Sequence, residues 1–384
     1  MVPAGESALI DLLADAGNAA PHELGDLINS CALALGAEGA TAYMADLQQH
    51  VLMPFTQSDD VGPLNVDATL AGRAFQTFEM QLQEDRVWLP LVLGTDRIGV
   101  LCVIVGTADL ALLQRLATTA ATLLASKTVY GDTLVKLRRV GPIGLAAEMQ
   151  YSLLPPLAFA SREVTVSAAL EPCYNVAGDT IDYAVDRGRT SIGVFDGMGH
   201  GLHSAQCASL TVATYRNARR GGQGLPDIFN SIDVTLQESL GGEAFTTAVL
   251  AELDTDTGLL SWVNAGHPEP LLMRGGKVVK TLYVEPRPPL GLGHLVREEV
   301  EVGTEQLEPG DRILVFTDGV VEARSPGGDF FGVERLGELV VRHLAGGLPA
   351  AETMRRVVRE LLDHQGGQLS DDASLLLLEW RATS

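Results

Sequence analysis

The chain has 384 residues, with 27 basic against 49 acidic side chains and a formal net charge of −22. Its 46% hydrophobic and 20% charged residues exclude a disordered chain, and its length suits two or three domains at roughly 100–200 residues each. The acid excess excludes nucleic acid and anionic membrane surfaces as main partners, because both need clustered Lys and Arg and only Arg216 to Arg220 resembles a cluster.

Residues 1–125 read as a first domain. Helical spacing covers Ser7 to Ala16 and His22 to Leu35, with Pro21 at a helix entry and Gly36 past the exit. Thr41 to Ala45 and Val51 to Phe55 read as short strands, and a helix follows near Thr69 to Phe78. Val87 to Leu93 and Arg97 to Val105 form a hairpin around Gly94-Thr95-Asp96, and an Ala- and Leu-rich helix from Asp109 closes the domain. Helices flanking an antiparallel sheet make it α+β.

Residues 126–156 read as a helical connector. Leu134, Leu137 and Val140 share a face, Gly141-Pro142 breaks the period, and Leu145, Met149 and Leu153 resume it until Pro155-Pro156. Such a stripe suits either a short dimeric coiled coil or a packed linker.

Residues 157–384 alternate strands with turns. Strands are expected at Val164 to Leu170, Tyr183 to Val185, Ser191 to Phe195, Thr247 to Leu253, Leu259 to Ala265, Pro270 to Met273, Arg312 to Phe316 and Ser374 to Trp380. Helices are expected at Gly201 to Arg219, Leu225 to Leu240, Val333 to Leu344 and Ala350 to His364. Short turns between most strands favour two helix-covered antiparallel sheets over a parallel βαβ series.

No uncharged apolar run reaches the ~18 residues a membrane span needs; the best, Ile98 to Ala108, ends at Asp109. Met1 to Asp15 carries acids where a secretory leader needs a basic start, so a cytoplasmic protein is expected. The cysteines at 31, 102, 173 and 207 show no Cys-x-x-Cys spacing, which fits reduced, buried thiols.

The chemistry is carried by aspartates at strand edges: Gly178-Asp179, Phe195-Asp196-Gly197, Thr317-Asp318-Gly319 and Asp371-Asp372. One Asp-Gly alone is a turn. Several converging carboxylates repel by about 4 kcal/mol per pair at ~4 Å and an effective dielectric of ~20, so they need protons or cations. An oxygen-only set without a His and Cys constellation favours Mg²⁺ or Mn²⁺ over zinc.

Rival readings are weaker. Gly197-Met-Gly-His-Gly201 resembles a nucleotide-binding glycine loop, but Asp196 at its mouth repels a pyrophosphate. Asp254-Thr-Asp256-Thr-Gly258 lies between two apolar runs as a hairpin turn. There is no Cys-x5-Arg and no Gly-x-Ser-x-Gly. His200, His203 and His267 are secondary candidates for ligands or proton donors, and Pro286 to Gly293 reads as a stiff loop.

Two resemblances follow from these residues. Arg86 to Val105, with the helix, strand-pair and helix order before it and the helix after it, resembles a GAF sensory domain, which can dimerise or take a small molecule of unknown identity. Six ordered segments resemble bacterial PP2C-type serine/threonine phosphatases of the SpoIIE and RsbU kind: Val176 to Asp182, Val194 to Ser204, Phe245 to Val249, Val263 to Pro270, Leu307 to Ala323 and Ser370 to Leu375. Leu145 to Pro155 resembles the helix that precedes the catalytic core in that family.

That second resemblance implies an αββα sandwich with two Mg²⁺ or Mn²⁺ ions at one end. Carried over by motif, Asp196 would bridge the ions, with Asp179 and the Gly197 carbonyl assisting one and Asp318 and Asp371 the other; Asp372 is the alternative to Asp371. These acids would then be catalytic through a metal-activated water. The substrate implied is a phosphoserine or phosphothreonine on a regulatory protein, typically an anti-sigma factor antagonist, in a chain expected to be a homodimer. Ala177 before Gly178, and Thr180-Ile181 in place of two aromatics, depart from the family pattern beside the site. The rival function is a phosphatase-fold module that binds a partner without catalysis.

Overall fold

The computed structural model describes residues 4–56, 58, 60–171, 178–199, 201–241, 244–367 and 369–381. The chain divides into two compact units, Met1–Pro142 and Ile143–Ser384.

The first unit runs α1 (Ala4–Asn18), α2 (Leu24–Ala34), β1 (Gly39–Ala45), β2 (Val51–Phe55), β3 (Leu64–Asn65), α3 (Leu70–Thr77), β4 (Gln81–Gln83), β5 (Arg86–Leu93), β6 (Asp96–Ile104), α4 (Leu110–Lys127) and α5 (Thr133–Leu137). Its antiparallel sheet has the order β3-β2-β1-β6-β5-β4. Leu93 pairs with Asp96, so the β5–β6 turn is Gly94-Thr95, and Gly94 takes the positive φ of 67° that such a turn requires. Capping sets two helix starts: the Thr69 hydroxyl accepts the Gly72 N–H, and the Asp109 carboxylate accepts the Ala111 N–H. Strand alternation feeds two cores. Ala42, Met44, Leu89 and Leu101 pack with α1, α2 and α4, whereas Tyr43, Trp88 and Val100 pack with α3.

The residues read as a connector are shared between the units. Leu134 on α5 is buried in the core of the first, while α6 (Leu145–Leu153) belongs to the second. Ala147 and Gln150 form the buried face of α6, and Leu145, on the expected apolar stripe, is 66% exposed.

The second unit continues with β7 (Ala158–Ala160), β8 (Val164–Glu171), β9 (Asp179–Asp186), β10 (Arg189–Gly197), α7 (Leu202–Arg220), α8 (Leu225–Leu240), β11 (Thr246–Asp254), β12 (Leu259–Ala265), β13 (Leu271–Arg274), β14 (Lys277–Thr281), β15 (Gly303–Gln306), β16 (Arg312–Phe316), α9 (Asp318–Val321), α10 (Val333–Ala345), α11 (Ala350–His364) and β17 (Ala373–Trp380). Two antiparallel sheets result, β15-β12-β11-β10-β9 and β14-β13-β16-β17-β8-β7. Their inner faces meet through Val166, Ile192, Val194, Val249, Val315 and Leu376. The outer face of the first sheet, at Phe195, Leu250 and Val263, is covered by α7 and α8; that of the second, at Leu314, Phe316 and Leu377, by α10 and α11. Helix, sheet, sheet and helix therefore stack as four layers.

Among the described residues no helix is long and apolar enough to cross a membrane. Cys31, Cys102 and Cys207 are free and buried, and Cys173 lies outside the described residues. The Asp254 to Gly258 segment is the β11–β12 turn, closed by a Gly258 N–H bond to the Asp254 carbonyl.

Candidate metal centre

Asp179 opens β9 and Asp196 lies one residue from the end of β10, and the two are direct partners across the antiparallel pair. In the other sheet β16 ends at Phe316, so Asp318 starts α9 just beyond it, while Asp371 and Asp372 immediately precede β17, whose Leu375 pairs with Phe316. Strand ends thus deliver all five acids to one end of the sandwich on rigid backbone.

Thr317 ties the two sheets together there. Its hydroxyl donates to the Asp179 carboxylate at 2.7 Å and accepts the Ser374 N–H at 2.9 Å. The Asp372 carboxylate accepts the Gly178 N–H at 2.9 Å and the Asp179 N–H at 3.3 Å. Glycines make the approaches possible. A Cβ on Gly178 would stand 2.6 Å from the Gly197 carbonyl oxygen, and one on Gly319 only 1.8 Å from the Asp372 carbonyl oxygen. From α6, the Gln150 amide donates to the Asp179 backbone carbonyl, and Arg216 on α7 donates both to the Leu153 carbonyl and to Asp182 on β9.

Burial raises the Asp179 carboxyl well above the usual carboxylate range, and Asp196 and Asp372 add to the effect. Asp196 is pushed up to about 7, first by burial and then by Asp318, Asp371 and Asp372. Asp318 is raised by burial and Asp371, and Asp372 to about 6 by burial, against the two N–H bonds it accepts. Every shift favours the protonated acid, as expected of carboxylates crowded without a counter-charge. As the side chains stand, no group of three or more His, Cys, Asp and Glu among the described residues is arranged to hold a metal ion. Asp179 and Asp372 instead spend carboxylate oxygens on Thr317 and on backbone N–H groups. The donor set is all oxygen and its charge is unbalanced, which is the chemistry that Mg²⁺ or Mn²⁺ fits.

The expected site residues Asp179, Asp196, Gly197, Asp318 and Asp371 all stand at this end. Asp372 is buried and occupied by backbone, whereas Asp371 is exposed. His203 is exposed on α7. His267 is buried, its Nδ1 2.8 Å from the Thr247 hydroxyl and its backbone clamped by the Asn264 amide; burial pulls its pKa down to about 3, so it is a neutral packing residue. His200 and Ala177 lie outside the described residues. Sequence reasoning missed Thr317 and Gln150. Thr317 is adjacent to Asp318, and a hydroxyl at the end of an apolar strand was the available signal. The Arg216 to Arg220 stretch is not a free basic patch, because Arg216 and Arg219 both pair with buried Asp182, at 2.7 and 2.8 Å.

The four-layer arrangement has a counterpart in the SiaA-PP2C domain of Pseudomonas aeruginosa, with a TM-score of 0.52 at 22% identity over 67% of this chain and 99% of that one. The fold is that of a PP2C-type phosphatase domain. Residues 186–381 match the family model described as Stage II sporulation protein E (SpoIIE), and the chain belongs to that family. Its relatives include phosphoserine phosphatase RsbU of Bacillus subtilis, 26% identical over 62% of this chain and 69% of RsbU. Phosphoserine phosphatase RsbP of the same organism is 27% identical over 49% of this chain and 47% of RsbP, so the chain spans about half of that relative.

Proposed function

We propose that the second unit is a metal-dependent protein serine/threonine phosphatase whose two Mg²⁺ or Mn²⁺ ions would be held by Asp179, Asp196, Gly197, Asp318 and Asp371. The observation that carries this is the gathering of mutually repelling carboxylates from both sheets at one end of the sandwich. Bound there, paired divalent ions would acidify water and draw charge from a phosphoryl group. The chain's own residues prepare the place. Asp196 feels the charges of Asp318, Asp371 and Asp372, Thr317 and Gln150 fix Asp179 from both its side-chain and backbone oxygens, and Asp372 acts as a backbone clamp rather than a ligand.

The proposed substrate is a phosphoserine or phosphothreonine on a small regulatory protein of the anti-sigma factor antagonist kind, in keeping with the RsbU and RsbP relatives. The first unit is proposed to be a GAF-like input domain, supported by its six-stranded antiparallel sheet with helices on both faces. Control would reach the site through α6, and the exposed Leu145 offers a face for homodimerisation.

Mn²⁺-dependent hydrolysis of a chromogenic phosphomonoester by the full chain tests the reading. Wild type should exceed Asp196→Asn by at least about a hundredfold. Equal rates at every metal concentration would leave a partner-binding module as the function.

A further inference from the structure

We propose that the first unit binds a small zwitterion of the amino-acid type, in a cavity at the open end of its sheet, through Asp26 and Glu38 on one side and Arg86 on the other. The cavity measures about 590 Å³, within the size range of small-molecule sites. Pairing explains its floor. Gly39 and Arg86 flank Ile104 in one row across β1, β6 and β5, and Thr41 pairs with Cys102 in the next, so alternation puts Thr41 and Tyr43 on the same sheet face. The α3 helix packs against that face around Tyr43 and Trp88, and the cavity opens beyond it.

The lining is chemically specific. Tyr43 is 5% exposed, yet its hydroxyl makes no hydrogen bond to any described residue. The hydroxyl reaches the open space of the cavity, where a ligand atom would find it as a hydrogen-bond donor. Asp26 and Glu38, with Asp60 beyond them, line the cavity as exposed carboxylates that have no ion pair or side-chain hydrogen bond among the described residues. Asn29 spends its carbonyl on the Ala40 N–H at 2.8 Å and keeps its amide N–H groups. Arg86 has Asp85 at 3.9 Å, with both side chains more than half exposed, a pair too weak to occupy the guanidinium.

Charges of both signs therefore face one space from opposite sides, about 10 Å apart at the backbone by two strand spacings. An ammonium group satisfies Asp26 and Glu38, and a carboxylate satisfies Arg86 and leaves an oxygen for Tyr43 or Asn29. A phosphate ester or nucleotide would meet three unpaired carboxylates, and an apolar ligand would displace water from these charges without replacing its hydrogen bonds.

Calorimetric titration of the full chain with each of the common amino acids tests the proposal, alongside the matching amine without its carboxylate and the matching acid without its amine. Saturable binding of at least one amino acid is expected, at least about tenfold tighter than either truncated compound. Glu38→Gln and Arg86→Gln should each weaken it by about tenfold or more, and Tyr43→Phe by less, with melting curves showing each variant folded. No binding by any amino acid, equal binding of the amine alone, or unchanged affinity in both charge variants would overturn it.

Discussion

Asp196 concentrates the electrostatic problem, because burial and three neighbouring acids raise its pKa to about 7. The sign follows directly. A carboxyl with a raised pKa in the folded state contributes stability below its ordinary value of about 3.8, and that contribution is lost as pH rises through about 7. Metal-free protein should therefore weaken across that window. His267, held neutral down to about pH 3, has the opposite slope between about 6.5 and 3, so wild type must be compared with Asp196→Asn to isolate the carboxylate. In urea denaturation with chelator, the Asn variant should be about 1–3 kcal/mol more stable than wild type at pH 7.5 and nearly equal to it at pH 4. Equal stabilities at both pH values would show that the acids do not crowd. Thr317→Val removes the bond to Asp179 and leaves the Ser374 N–H without its partner, so a loss of about 1–3 kcal/mol is expected in the same assay. The aspartates themselves were legible in the sequence because each sits beside glycine or another acid at the end of an apolar run. The division of labour between Asp371 and Asp372 was not, since only the fold shows which carboxylate the Gly178 and Asp179 N–H groups consume.

At the scale of elements, strands and helices with strong hydrophobic periods stand where the sequence puts them: β5 and β6 around Gly94, β10 and β11, and α7, α8, α10 and α11. The short edge strands β3, β4, β7, β14 and β15 were not legible, because a few half-exposed residues carry no readable alternation and exist as strands only through their neighbours. The α6 helix adds what its pattern did not show. Its i, i+4 apolar stripe at Leu145, Met149 and Leu153 suited a dimeric coiled coil or a packed linker, whereas the residue it turns inward within the chain is the polar Gln150, to which the Asp179 carbonyl gives a partner. Gln150→Leu should keep the fold, with a stability loss of about 1–3 kcal/mol, and lower Mn²⁺-dependent turnover by about tenfold or more, as measured by melting and by phosphomonoester hydrolysis. Met149→Asp, on the partly exposed side of α6, should reduce turnover while the melting curve stays close to wild type. Wild-type turnover in both variants would remove α6 from the account of control.

For the molecule as a whole, the net charge of −22 bears on how a phosphoprotein is recruited. Two of the three arginines in the one basic stretch visible in the sequence, Arg216 and Arg219, pair with Asp182, so long-range attraction does not favour an anionic partner, and docking must depend on local fit. Length suits two or three domains without fixing which, and the sandwich is legible in the short turns between strands. What composition leaves hidden is convergence: spacing along the chain places Asp179 and Asp318 139 positions apart, and it takes contacts such as the Thr317 and Asp372 bridges to Asp179 to show that they share one end. The most direct test of that convergence is the number of Mn²⁺ ions bound by the chelator-treated full chain at equilibrium. Two ions per wild-type chain, with at least one lost in Asp196→Asn, is the predicted result. Wild-type binding of none, or an unchanged stoichiometry and affinity in the variant, would contradict the account.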